Sequence, residues 1–253
     1  MELNEVDFFS DLLDRNKAAQ HIKQCSDEWD KIRCGRFTAS EMYLLISSGK
    51  REMTAEELKA RPKSGEGSGA KLITDHSKFS EQGYTYIYRK AAETLTGRIQ
   101  ESSYAFPLVY GKELEAEAVE YFEKKTGLEC TEVGFQPFGD HAGGSPDRLV
   151  GEKEGLEVKC PYTSEKQIEY HMLNDVFDLK RCFPQIYWQV MSNLLFTQKE
   201  RWHLITYDPR FEVEKLKMTH MIIEPNSKDF DLICLKIEKA VEEKLKLIKQ
   251  LST

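Results

Sequence analysis

The chain has 253 residues, 40% hydrophobic, 11% aromatic and 31% charged, which suffices for one sizeable core, excludes wholesale disorder and is too short for two large domains. Thirty-six Lys and Arg against 43 Asp and Glu give a net charge of -7. That balance excludes a sequence-independent nucleic-acid coat held on by excess positive charge, so any nucleic-acid partner must be gripped by a local basic surface or through bound metal.

No run approaches the roughly 18 apolar residues of a membrane-spanning helix, and the acidic opening Met1-Glu2-Leu3-Asn4-Glu5 has no basic region followed by an apolar stretch. A cytoplasmic chain, neither exported nor membrane-bound, is the expectation. The six cysteines (Cys25, Cys34, Cys130, Cys160, Cys182, Cys234) lie far apart with no Cys-x-x-Cys pair. They read as reduced thiols and indicate no zinc ribbon, disulfide framework or four-cysteine iron-sulfur site.

In chain order, the first 30 residues read as helix, with Phe8, Phe9, Leu12, Leu13, Ala18, Ala19 and Ile22 as the apolar positions. A second helix is predicted from Thr38, whose hydroxyl caps it, with Glu41 completing a capping box and Met42, Leu45 and Ile46 facing inward. It stops near Ser47-Ser48-Gly49. Residues 50–80 are rich in Lys, Arg, Glu, Gly and Ser and read as a mobile loop. Helical spacing returns over Gly83–Leu95, closed by Gly97, and over Tyr110–Thr126, closed by Gly127, with Leu114, Ala118, Tyr121 and Phe122 on one stripe and Glu115 toward the opposite edge. Short β-prone runs follow at Cys130–Phe138, Ser145–Val150, Gly155–Cys160 and Trp202–Tyr207, interrupted by a helix over about Cys182–Thr197. A last helix, Asp229–Leu251, repeats apolar residues every three or four positions. The fold class is therefore α/β (α+β), with one domain spanning 1–253: a mainly helical part over 1–100, a core over 101–210, and a C-terminal strand and helix over 211–253.

Chemistry concentrates in Ser-Pro-Asp-Arg-Leu-Val-Gly-Glu-Lys-Glu-Gly-Leu-Glu-Val-Lys-Cys-Pro, residues 145–161. Side chains alternate along a strand, so Glu157 and Lys159 share one face while Leu156, Val158 and Cys160 take the other. Asp147 reaches the Glu157 face across a hairpin that turns at residues 151–155. Two converging carboxylates make a hard oxygen site suited to Mg2+ or Mn2+, and the adjacent lysine can orient a water and stabilise charge developing on a phosphate. Read in isolation, the Asp-x9-Glu-x-Lys spacing also fits an exposed hairpin carrying an ion pair. Glu115 is a candidate third carboxylate. Gln185 and Gln189, four apart on one helix face, are candidate amide donors to a water or phosphate. His141 and His171 have no ligand spacing and read as loop or surface residues.

With these residues in view, the chain resembles the phage lambda exonuclease family, the YqaJ-type viral recombinase nucleases of the PD-(D/E)XK superfamily. The resemblance runs over residues 29–210. It is carried by Trp29-Asp30-Lys31-Ile32-Arg33, Thr38-Ala39-Ser40, Gly111-Lys112 with Glu115, Ser145-Pro146-Asp147, Leu156-Glu157-Val158-Lys159-Cys160-Pro161, Gln189 and Tyr207-Asp208-Pro209-Arg210. It implies a restriction-endonuclease-like core, a central mixed sheet flanked by helices. It implies a two-metal site held by Asp147, Glu157, the Val158 carbonyl and Glu115, with Lys159 and Gln189 positioning the nucleophilic water, Gln185 as an accessory residue, and Arg33, Ser40 and Ser145 holding a 5'-phosphate.

The same resemblance implies a 5'-to-3' exonuclease that degrades one strand of duplex DNA to mononucleotides and leaves 3' tails for recombination. It further implies a homotrimeric ring around DNA, a single-strand annealing protein as partner, and a phage or prophage gene acting in the bacterial cytoplasm. The alternatives are a structure-specific or restriction-like endonuclease on the same core, and a catalytically silent DNA-binding scaffold.

Overall fold

The computed structural model describes residues 22, 24, 26–60, 72–99 and 106–252. The helix expected over the first 30 residues lies largely outside them, apart from α1 (Asp27–Arg33), which Ser26 caps by accepting from the Trp29 amide. Next come β1 (Phe37–Thr38), a 3-10 turn (Ala39–Glu41), α2 (Met42–Ile46), β2 (Ser48–Glu52), α3 (Ala55–Ala60), β3 (Leu72–Phe79), α4 (Glu81–Thr96) and α5 (Phe106–Thr126). The β-rich part holds β4 (Cys130–Thr131), β5 (Gln136–Phe138), β6 (Ala142–Gly144), β7 (Arg148–Val150) and β8 (Glu154–Lys159). Then follow α6 (Ser164–His171), α7 (Val176–Cys182), α8 (Pro184–Thr197), β9 (Arg201–Tyr207), α9 (Glu214–Lys217), β10 (Met218–Ile223) and α10 (Ser227–Leu251).

The predicted helices over Gly83–Leu95 and Tyr110–Thr126 are α4 and α5, and Gly97 and Gly127 close them with φ of 66° and 71°, the left-handed values that glycine adopts without a Cβ penalty. Two expectations are corrected. The segment 50–80 is not a loop throughout: β2 and β3 form an antiparallel hairpin pairing Gly49 with Asp75 through Glu52 with Leu72, flanking α3, while residues 61–71 lie outside the described residues. Ladder hydrogen bonds between segments twenty residues apart hold these polar strands, and local composition does not register them. The capping box at Thr38 does not form either. The Thr38 hydroxyl lies 3.3 Å from both the Ser40 hydroxyl and the Tyr86 phenol, and Glu41 pairs instead with Arg89 of α4.

The main sheet has the order β10-β9-β8-β7-β4, parallel only between β8 and β9. It is the mixed sheet expected, with helices on both faces. On one face, Leu156, Val158, Ile205 and Tyr207 pack against Ala118, Val119 and Phe122 of α5. On the other, Trp202 and Leu204 join the larger core built from α2, α4, α7, α8 and α10. Each fully buried Leu or Ile here contributes about 1.5–3 kcal/mol. Gly155 is needed on that face because Trp202 covers it: a Cβ there would lie 2.3 Å from the indole ring. A smaller sheet, β1-β6-β5, sets β1 parallel to β6 with Phe37 opposite Ala142 and Thr38 opposite Gly143. Among the described residues no helix is long and apolar enough to cross a membrane.

Candidate active site

The β7–β8 hairpin turns through residues 151–153, with Gly151 at φ 57° and Val150 opposite Glu154. Asp147 sits just before β7, and its Oδ2 accepts from the Val158 amide at 2.7 Å. The segment before it is pinned by Gln24, whose amide donates to the carbonyls of Val133 at 3.0 Å and Pro146 at 2.8 Å.

Alternation along β8 works as the sequence requires, but both faces are covered. Leu156 and Val158 enter the α5 core, and Glu157, 1% exposed, lies under α8. Lys159 donates to Glu157 Oε1 at 2.6 Å and to Gln189 Oε1 at 3.2 Å, and Gln189 Nε2 donates to Glu157 Oε1 at 2.5 Å. Asp147, Glu157, Lys159 and Gln189 therefore converge.

Burial, then the neighbouring Glu157 charge, pushes the Asp147 carboxyl well above the usual carboxylate range, and burial likewise raises Glu157. Burial works against the Lys159 ammonium, but Glu157 and Asp147 outweigh it and hold the group protonated above the ordinary lysine range. The Cys160 thiol is pushed up to about 12, chiefly by burial, which leaves it inert as a nucleophile.

Asn193, one turn beyond Gln189 on α8 and fully buried, was not singled out from sequence. Its amide donates to Glu157 Oε2 at 3.4 Å, and its Oδ1 has no hydrogen-bond partner. The four-residue spacing that links Gln185 to Gln189 continues to Asn193 and was the available signal. Gln185 itself is exposed.

Glu115 stands at the edge of the cluster: Arg148 donates to its Oε1 at 2.8 Å and to the Asp147 carbonyl at 2.5 Å. Its charge still raises Asp147 and Glu157. Among the described residues no three His, Cys, Asp or Glu side chains form a ligand group, and Glu115, the expected third carboxylate, is engaged by Arg148.

The backbone completes the donor set. The β7–β8 ladder ends at Arg148 opposite Leu156, so Val158 lies beyond it. Its amide donates to Asp147 Oδ2, and the amide and carbonyl of one strand residue point to the same side, so the Val158 carbonyl faces the Asp147 side of the strand. Buried Glu157, half-buried Asp147 and a carbonyl on that side suit a hard divalent cation.

The residues expected to hold a phosphate lie nearby. Arg33 stacks its guanidinium 3.7 Å from the centre of the Trp29 ring, and the Trp29 indole donates to Ser145 Oγ at 3.0 Å. Exposed Ser40 lies in the 3-10 turn that follows β1, whose Thr38 pairs with Gly143, two residues before Ser145. Trp29 thus joins Arg33 to Ser145, two positions before Asp147. His141 and His171 belong elsewhere. Both are half-buried, His171 against the Leu216 carbonyl at 2.9 Å and His141 beside Lys244 Nζ at 3.3 Å.

Residues 28–200 match the family model described as the YqaJ-like viral recombinase domain. Among solved structures, an alkaline exonuclease from Laribacter hongkongensis is similar at 22% identity and a TM-score of 0.66, covering 90% of this chain and 96% of its own; the same enzyme in complex with dAMP matches equally well, with a TM-score of 0.66. A phage related exonuclease from Haemophilus somnus 129PT is similar at 13% identity and a TM-score of 0.62, covering 85% and 96%. No curated protein sequence matches the chain.

Proposed function

The chain belongs to the YqaJ-like viral recombinase domain family, and from that premise we propose that its whole length is one nuclease domain hydrolysing duplex DNA from 5'-phosphorylated ends in the 5'-to-3' direction. It releases mononucleotides and leaves 3' single-stranded tails for recombination. The observation that carries this reading is the convergence of Asp147, Glu157, Lys159 and Gln189 at the end of β8.

Asp147, Glu157 and the Val158 carbonyl would hold Mg2+ or Mn2+, with Glu115 reaching a second ion once Arg148 is displaced. Such ions polarise the scissile phosphate and lower the pKa of the attacking water. The protein's own groups do the rest. Lys159 and Gln189 orient that water, and the Lys159 ammonium, kept charged by its carboxylate neighbours, stabilises charge developing on the phosphate. Arg33, flat against Trp29, presents its fork to a terminal phosphate whose shell Ser40 and Ser145 complete, which sets the register of the cut.

A homotrimeric ring would retain a chain of net charge -7 on DNA by enclosure, and a single-strand annealing protein would take up the tails in the bacterial cytoplasm. End-labelled linear duplex digested with and without chelator tests the reading. Mononucleotides released from 5'-phosphorylated ends, no cleavage in chelator and an untouched closed circle are expected. Cutting of the circle would instead establish an endonuclease, and a mass of one subunit in sedimentation would remove the ring. A silent DNA-binding scaffold is disfavoured, because DNA binding alone does not need a buried Glu157 and a half-buried Asp147 sharing one lysine, an arrangement that costs stability.

A further inference from the structure

Three residues beyond Lys159 the chain exposes an aromatic side chain on a hydrogen-bonded mount. Tyr162 is 44% exposed. Its ring meets Tyr110 of α5 edge to face, with centroids 5.6 Å apart and planes at 83°. The backbone beneath it is fastened by Arg210, which donates to the Tyr162 carbonyl at 2.9 Å and the Pro161 carbonyl at 3.1 Å. Arg210 is in turn fixed by Asp208, fully buried, through bonds of 2.7 and 2.9 Å, and its guanidinium lies 5.4 Å from the centre of the Tyr110 ring.

A loop that only had to connect β8 to α6 would need neither a buried carboxylate locked to an arginine nor two carbonyls gripped by one guanidinium. Both fasten the Tyr162 backbone, and the Tyr110 contact packs the ring while 44% of the residue stays exposed. Position then restricts what the ring can meet. Tyr162 is three residues from Lys159, so their Cα atoms are at most roughly 11 Å apart. Tyr110 is five residues before Glu115 on α5, and α5 approaches the same segment closely, a Cβ at Gly111 falling 3.6 Å from the Cys160 carbonyl. That span is comparable to the reach of one nucleotide from its phosphate to its base. Stacking on an aromatic face accepts any base, which suits an enzyme that removes nucleotides in sequence.

We infer that Tyr162, braced by Tyr110 and by the Arg210–Asp208 pair, is a stacking platform for the nucleobase of the nucleotide bound at the carboxylate cluster. This rests on the nuclease reading above and adds a base-binding subsite to it. The test is equilibrium binding of two probes to the full-length protein: 2-aminopurine deoxyribonucleoside 5'-monophosphate, followed by its fluorescence, and deoxyribose 5-phosphate, followed by calorimetry. Wild type should quench the fluorophore. Tyr162→Ala should weaken the nucleotide about ten- to hundredfold while leaving the base-free sugar phosphate unchanged, and Tyr162→Trp should restore both quenching and affinity. Equal weakening of both probes, unchanged nucleotide affinity in Tyr162→Ala, or no nucleotide binding by wild type overturns the inference. Hydrolysis of linear duplex by the same wild-type sample separates the two levels: a protein that cuts DNA yet shows any of those results loses only the platform, whereas one that cuts none loses the nuclease reading as well.

Discussion

Replacing Lys159 by Met removes the ammonium 2.6 Å from a carboxylate that is 1% exposed, while keeping the aliphatic stem. Breaking a buried pair by deleting one partner costs about 3–5 kcal/mol. Here the loss is smaller, about 2–3 kcal/mol, because the Lys159 side chain is itself 28% exposed and Gln189 and Asn193 still donate to Glu157. For a chain of this size that lowers Tm by about 5–10 °C.

The loss has a defined pH dependence. Burial raises the folded-state pKa of Glu157 above its unfolded value, and removing Lys159 raises it further. The folded state then binds more protons than the unfolded state across that window, so stability falls as pH rises through it. The deficit should be smaller at pH 4 than at pH 8. Thermal unfolding in chelator at both pH values measures it. Adding Glu157→Gln to Lys159→Met removes the orphaned charge and should return Tm at pH 8 to within about 3 °C of wild type. In the single variant, turnover on linear duplex should fall about 100- to 10,000-fold while DNA is still retained. A Tm deficit independent of pH and undiminished in the double variant, or turnover within a few-fold of wild type, would refute the reasoning.

Arg33→Ala should reduce the rate preference for 5'-phosphorylated over 5'-hydroxyl duplex ends at least about tenfold; the two substrates assayed side by side check it, and an unchanged ratio removes phosphate capture from this residue. Gly144→Ala would set a Cβ 2.2 Å from Asn193 Oδ1 and 3.1 Å from the Ala39 Cβ. It should cost about 1–3 kcal/mol in denaturant unfolding and, by displacing Asn193 from Glu157, lower turnover more than that stability loss explains. Lys244, buried and bonded to the Gly35 carbonyl at 2.8 Å, has its pKa lowered to about 8, first by burial and then by Arg36 and Lys90. Between about pH 8 and 10.5 the unfolded chain keeps a proton that the folded one has released, so stability should rise with pH across that window, by about 2 kcal/mol, and Lys244→Met should flatten the rise in a Tm-against-pH series.

The long helices were readable because their signals are local. Apolar residues three and four apart and a glycine at the close define α4 and α5 whatever surrounds them. The alternation in β8 is equally local, and it separates Glu157 and Lys159 from Leu156 and Val158 before any partner strand is known. Partnership is a different matter. Thr38 looks like a cap until Tyr86 takes its place beside the hydroxyl, and Glu41 looks like the other half of the box until Arg89 reaches it from α4. The β2–β3 hairpin has polar strands whose stability comes from each other, across residues 53–71.

The amino-acid order alone determined that a hairpin carries Asp147, Glu157 and Lys159, because side-chain alternation and the glycine-bounded turn between the two strands are properties of a few consecutive residues. The tertiary structure decided which distant groups meet them: Gln189 and Asn193 at Glu157, Arg148 between Asp147 and Glu115, and Trp29 linking Arg33 to Ser145. It also decided that Glu157 is buried. Burial and the distances between charges set the ionisation of these groups, and both come from packing α5 and α8 onto opposite faces of the sheet, an arrangement that no local spacing encodes.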